Sequence, residues 1–345
     1  MTETVFHNRR ALHIENDDIS VVVTVEGGHI AQILDKGSGV NPLWIPPWPS
    51  IETSQWSAAT HPEYGNDTES CLLAGIMGHN LCLDLFGAPT PEEAAAGVVV
   101  HGEASILPWK FECTGSALIG RCTLPAAGLA ITRTLRLDGR RVRIREEVEN
   151  LSPLDRPIAW TQHVTLGPPF LANGKTQFRM PGTLSRDLAE VTDFAWPSYP
   201  RPNGATQNLE IFPADASSGG FTTHLMDPAA PKAWFTSWSP ESNIAFGYVW
   251  DRADFPWMGI WEENCFRTHA PWLGRAKARG MEFGASPFPE SRRKMIERRS
   301  LFGQPAYRWI PARATLTAEY YAAIAPAIEI PESLSQFESL LWSIR

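Results

Sequence analysis

Residues 129–150 read LAITRTLRLDGRRVRIREEVEN. Apolar and charged side chains alternate on both sides of Asp138-Gly139, through Ile131, Thr132 and Arg133 and again through Val142, Arg143, Ile144 and Arg145. Successive side chains of a strand point to opposite faces, so a period of two predicts strands with one buried and one wet face. Asp-Gly tolerates the backbone of a tight hairpin turn, which makes the two strands antiparallel neighbours.

The same pattern extends outward. WKFECTG (109–115) and LIGRCTLPA (118–126) precede the hairpin as two more strand-length runs, and ISVVVTVEGGHIAQI (19–33) reads as a hairpin about Gly27-Gly28 that starts the fold. After Pro157 come IAWTQHVTLG and a polar loop to about Ser218, then FTTHLM, AWFTSW, NIAFGYVWD and WMGIWEEN, each bounded by turn formers. Between Asn41 and Gly97, WIPPWP and SQWSAATHPEYGNDTES keep no period, and so long an irregular stretch in a compact protein is usually functional. Helical patterning is confined to 91–96, the stretch around 292–299 and SLSQFESLLWSI (333–344). Strands that do not alternate with long helices exclude a parallel βαβ sheet. The expected fold is all-β, a large antiparallel sandwich. No linker composition or internal repeat divides the chain, so 1–345 is expected to be a single domain, with the loop 170–216 the only tolerable cut and not a boundary.

Thirty Lys and Arg against 38 Asp and Glu give a net charge of −8, which argues against nucleic acid and favours a neutral small molecule. The basic stretch Arg292, Arg293, Lys294, Arg298 and Arg299 is read as solvated surface, with a phosphate or anionic-sugar contact as its alternative. No signal-peptide core and no run of 18 apolar residues is present, so no membrane partner is expected and a cytoplasmic monomer or homodimer is. Cys71, Cys82, Cys113, Cys122 and Cys265 are odd in number and lack CxxC spacing, which suggests neither a disulfide framework nor a metal site. Fourteen Trp are a heavy load, and two or three are expected to stack on a sugar ring while the others fill the core.

Three ionisable residues stand in or beside apolar strands: His101 in VVVHGEASILPW, His163 in IAWTQHVTLGPPF and Glu282 in RGMEFGASPFPE. A histidine moves a proton near neutral pH and a partly desolvated carboxylate complements it, an acid–base set without a nucleophile. The ordered set His101-Gly102 with Trp109, Gln162-His163, and Gly280-Met281-Glu282 with Pro287 resembles the aldose 1-epimerase, or galactose mutarotase, family over nearly the whole chain. The resemblance implies a galactose mutarotase-like sandwich in which a cyclic sugar is opened and reclosed on the other face, with no cofactor or metal. It assigns Glu282 as base, His163 as acid, and His101 as a hydrogen-bonding partner that positions the sugar or polarises its ring oxygen.

Around these residues, Gln162, Trp109 and Trp160 are candidate substrate contacts, only one of the two indoles being expected to stack. The family's Asn-Arg pair upstream of the first histidine is missing; GIMGHNLCLDLFG (75–87) offers His79 and Asn80 instead. Its later Asp-His becomes Thr223-His224, leaving His224 as a contact. Glu262 and Glu263 are candidates for a carboxylate near Glu282, and Arg267, Arg275, Arg279 and His269 for an anionic group, Glu263 and Arg275 foremost. A sugar-binding protein without catalysis, a glycan-cleaving enzyme with a second carboxylate, and an epimerase of sugar phosphates remain as alternatives.

Overall fold

In the computed structural model, which describes residues 1–201 and 203–341, the strands Leu129–Asp138 and Arg141–Asn150 form the expected hairpin. The alternation is broken where Arg133 shares its face with Ile131 and Leu135 and is buried, meeting Glu146, also buried, directly across the hairpin at 2.7 Å. This hairpin lies in an eight-stranded sheet ordered Gln177–Arg179, Lys232–Ser239, Ile244–Asp251, Thr315–Pro326, Arg141–Asn150, Leu129–Asp138, Ala117–Leu124, Lys110–Thr114. The larger sheet begins with Thr2–Phe6, Arg9–Glu15, Ile19–Thr24 and Ile30–Asp35. It continues through His79–Asp84, Arg156–Leu166, Lys277–Gly284, Trp257–Asn264, Ser218–Met226, Gly182–Asp187 and Asp193–Ala195, with Arg308–Ile310 pairing beside Arg156–Leu166. All of these pairs are antiparallel, and one apolar cluster, including Leu81, Trp160 and Phe283 from the large sheet and Ile144, Phe246 and Ile324 from the small one, fills the space between.

Three expectations are corrected. The fold does not start at Ile19, since Thr2–Phe6 and Arg9–Glu15 already form a hairpin through His7 and Asn8, both at positive φ. The stretch 41–97 is not irregular throughout: His79–Asp84 is a central strand, buried on both faces and therefore without the alternation that would have marked it. The polar loop to Ser218 contains short strands, of which Gly182–Asp187 extends the large sheet. Helices occur at Pro91–Ala95, Arg292–Arg298 and Leu334–Leu340, near the three expected places, and a fourth, Ser70–Leu73, lies where no helical pattern was expected; residues 342–344 of the last expected place lie outside the described residues. The basic stretch is mostly paired, Arg292 with Asp84, Arg293 with Glu297, and Arg298 with Glu190 and Glu290. No described helix is long and apolar enough to cross a membrane.

Candidate active site

Strand register builds the site. Asn80, His163, Glu282, Gly259 and Thr223 are consecutive partners across five neighbouring strands of the large sheet and share its outer face, away from the second sheet. His163 Nε2 lies 3.0 Å from Glu282 Oε1. The approach is off the N–H axis, and Oε1 receives no hydrogen bond from the protein. Glu282 has room because its neighbours on this face are glycines: its Oε1 lies over Gly280, where a Cβ would collide with it, and Phe221 packs over Gly259. His163 Nδ1 is 3.1 Å from the Thr165 hydroxyl two residues along the same face.

His101 arrives from a turn beside the strand His79–Asp84. Its φ is +62°, and Gly102, at φ +79°, lies against the Leu83 carbonyl where no side chain fits. The His-Gly pair is thus a tight turn that docks on the strand His79–Asp84 and swings the imidazole to 5.0 Å, ring centre to ring centre, from His163. Nδ1 of His101 donates to the Phe86 carbonyl at 2.5 Å, which leaves Nε2 of the neutral ring as an acceptor.

These three residues line one cavity of about 440 Å³. Its walls include Trp261, Trp272, Phe221, Arg267, Glu69 and Glu263. Trp261 stands two positions from Gly259 on the same face, 6.0 Å from the His163 ring, and meets Trp272 edge to face at 5.9 Å. The loop after the strand Trp257–Asn264 is tied back by Glu263, whose Oε1 accepts from the backbone N–H groups of Phe266 (2.6 Å) and Arg267 (3.0 Å). Arg267 then lies 4.5 Å above the Trp272 ring and 3.6 Å from both Glu69 and Glu263.

Burial governs the protonation of the site. It holds the His163 imidazole well below its usual range, with His101 beside it adding to the effect, and lowers His101 to about 4. It pushes the Glu282 carboxyl well above the usual carboxylate range, and raises Glu263 and Glu69 as well. Burial thus disfavours the charged form of each partner, the imidazolium of His163 and the carboxylate of Glu282.

Of the other sequence candidates, Glu263 lines the cavity, as do Glu262 and Arg267. Asn80 stands beside His163 in register, wholly buried, its amide without a partner. Trp160 and Gln162 alternate with Thr161 and His163 and so point between the sheets. His79 lies there too: its Nε2 donates to Gln162 Oε1 (2.9 Å), Nδ1 meets the Tyr248 hydroxyl (3.0 Å), and Glu146 accepts from Gln162, Trp160 and Tyr320. His79 is lowered to about 3 by burial. Trp109 is a core residue packed on Gly28 and donating to the Ala104 carbonyl, His224 is enclosed between Ser185 and Thr222, and Arg275 is exposed outside the cavity. The walls Trp261 and Trp272 were not singled out from the sequence. Trp261 was within reach, because it shares strand parity with Glu263; Trp272 comes from a loop and carries no such signal. Among the described residues no three His, Cys, Asp or Glu side chains are grouped to hold a metal ion.

A proposed aldose 1-epimerase of Klebsiella pneumoniae superposes with a TM-score of 0.67 at 14% identity, covering 99% of this chain and 86% of that one. The fold is galactose mutarotase-like. A galactose mutarotase-like protein of Clostridium acetobutylicum gives a TM-score of 0.63 at 13% identity over 94% of this chain and 98% of its own, and one of Lactobacillus casei gives 0.59 at 13% over 91% and 99%. No family model and no curated protein matches the sequence. The galactose mutarotase-like sandwich expected from the ordered motifs is thus present across the chain, with His163, Glu282 and His101 at one cavity.

Proposed function

We propose that the protein interconverts the α and β anomers of a sugar by general acid–base ring opening. The observation that carries this is the His163–Glu282 contact of 3.0 Å at the base of the cavity. The two oxygens that exchange protons in an anomer reaction, the ring oxygen and the anomeric hydroxyl, sit on the same carbon, so acid and base must stand side by side. Hydrolysis of a glycoside instead sets two carboxyl groups about 5–10 Å apart across the bond.

In the forward step Glu282, as carboxylate, takes the proton of the anomeric hydroxyl while His163, as imidazolium, gives one to the ring oxygen. The bond from the anomeric carbon to the ring oxygen breaks as its carbonyl forms. Rotation about the next carbon–carbon bond presents the other face, and the reverse transfers close the ring. One proton taken and one given leave the net charge of the pair unchanged, and the Thr165 hydroxyl orients the imidazole. His101, with Nδ1–H engaged by Phe86, accepts from a sugar hydroxyl and positions the ring. Trp261 and Trp272 offer apolar surface for the C–H face of a pyranose.

The test is NMR exchange spectroscopy of anomers over a panel of hexoses, deoxysugars, uronic acids and sugar phosphates. Glu282→Gln and His163→Ala are each expected to lower the catalysed rate by about 10²–10⁴-fold. Sugar binding at the uncatalysed exchange rate would overturn the proposal and leave a sugar receptor.

A further inference from the structure

The acid–base pair occupies one end of its cavity, and the charges at the other end do not balance. Gly259, which faces Glu282 in register, shares one face of the strand Trp257–Asn264 with Trp261 and Glu263, so Glu263 lies about 13 Å along the strand from the reacting centre. Glu69 and Asp67 line the cavity as well. Arg267, 3.6 Å from both Glu69 and Glu263, puts these two at the same end, and Asp67 accepts from the Glu69 backbone N–H at 2.9 Å. Among the described residues Arg267 is the only Lys or Arg in the lining, while Glu262 is answered by Arg279 from behind at 2.9 Å. Three carboxyl groups thus meet one guanidinium.

Surplus carboxylates are ordinarily solvated, but Glu263 is only 1% exposed. Its Oε1 is taken up by the N–H groups of Phe266 and Arg267, and its Oε2 accepts no hydrogen bond. Arg267 does not supply one: its Nε stays at 3.6 Å, beyond hydrogen-bond reach, with the guanidinium laid over the Trp272 ring. A buried acceptor without a donor is costly, the more so when it bears charge, and burial raises Glu263 and Glu69 above the usual carboxylate range. A sugar hydroxyl would supply the missing hydrogen bond. An ammonium supplies the hydrogen bond and the charge.

We propose that the ligand is an amino sugar, an aldose with its anomeric carbon at His163 and Glu282 and a protonated amine at the far end of the molecule, donating to Glu263 Oε2. The proposal rests on the anomer-exchange reading for the placement of the anomeric carbon. The spacing selects the position of the amine. An amine on carbon 2 stays beside the anomeric carbon, whereas one on carbon 6 extends past Trp261 toward Glu263. Sugar acids and sugar phosphates bring negative charge against the three carboxyl groups and are disfavoured. Ring opening does not involve the substituent on carbon 6, so the ammonium acts through affinity and leaves the chemistry as it is.

The experiment is an NMR titration of the full chain at pH 7 that reads affinity and anomer exchange in the same samples. The ligands are glucose and galactose, their 6-amino-6-deoxy and 6-acetamido-6-deoxy derivatives, glucosamine and glucuronic acid. At least one 6-amino sugar is expected to bind about tenfold more tightly than its parent, the scale of one hydrogen bond to a charged group. The acetamide, which keeps the nitrogen and removes the charge, is expected to lose the advantage, glucosamine to gain less, and glucuronic acid to bind more weakly than glucose. In Glu263→Gln the amide oxygen still accepts from Phe266 and Arg267, so the loop is held while the advantage of the amine over its parent is expected to vanish; Glu69→Gln is expected to reduce it. Equal affinities of amine and parent, an advantage shared by the acetamide, a larger gain for glucosamine, or an advantage that survives Glu263→Gln overturns the assignment, as does the absence of binding by either amine. An amine advantage without catalysed exchange leaves the cation site standing and overturns the epimerase reading alone, while exchange without the advantage does the reverse.

Discussion

Glu282 reaches His163 only because the residue two places before it has no side chain. A methyl group at Gly280 would meet the end of the Glu282 side chain, which can swing, rather than backbone, which cannot. Gly280→Ala is therefore expected to cost about 1 kcal/mol of stability or less while lowering anomer exchange severely, a split read by urea unfolding beside NMR exchange. The burial of the pair gives a second prediction at this scale. Burial moves protonation of His163 well below its usual range and ionisation of Glu282 well above the carboxylate range. The rate should lack the inflection near 6.5 that an ordinary histidine would give. An inflection there would separate the two residues as independent titrating groups.

At the scale of elements, the turn at His101-Gly102 and the loop behind Glu263 carry the parts of the site that no strand supplies. Alanine at Gly102 would need a positive φ and would press on the Leu83 carbonyl, so Gly102→Ala is expected to destabilise by about 1–3 kcal/mol and to displace His101, measured as a weaker sugar affinity as well as a lower melting temperature. The sequence made His163 and Glu282 legible because each sits in a strand whose apolar neighbours mark it, and an ordered set of short motifs joined them. It misled for Trp160 and Gln162, which share a strand with His163, because proximity along a strand says nothing of face until parity is counted. It concealed the strand His79–Asp84, whose six buried residues show no alternation, and Trp272, whose place depends on a loop anchored by Glu263.

Across the whole molecule, the repeated short strands and the Asp-Gly hairpin were enough to foresee a large antiparallel sandwich, while the pairing order, set by contacts between distant segments, was not readable. The buried histidines give the molecule a common pH response. Burial lowers His29, His79 and His224 to about 3 and His101 to about 4, with His163 also well below its usual range. Below about pH 6.5 the unfolded chain takes up protons that the folded chain refuses, so each contributes a loss of about 1.4 kcal/mol per pH unit as pH falls from there toward its folded value. The raised carboxyls Glu282, Glu263, Glu69 and Asp84 act in the opposite sense, since the folded state holds their protons more firmly. Apart from that of Glu282 the carboxyl shifts are smaller than those of the histidines, and the urea midpoint is expected to be lower at pH 5 than at pH 7; an unchanged midpoint would show that the carboxyls cancel them. The strand Arg156–Leu166 faces the interior network through Trp160 and Gln162 and the outer face of the sheet through Thr161 and His163, the latter at the cavity. Inserting one residue early in it would exchange the two sets at once, placing the imidazole in the core and the amide in the cavity. Heritable length changes in this strand should accordingly be purged even where substitutions beside the cavity are tolerated, leaving point replacement as its route to altered specificity.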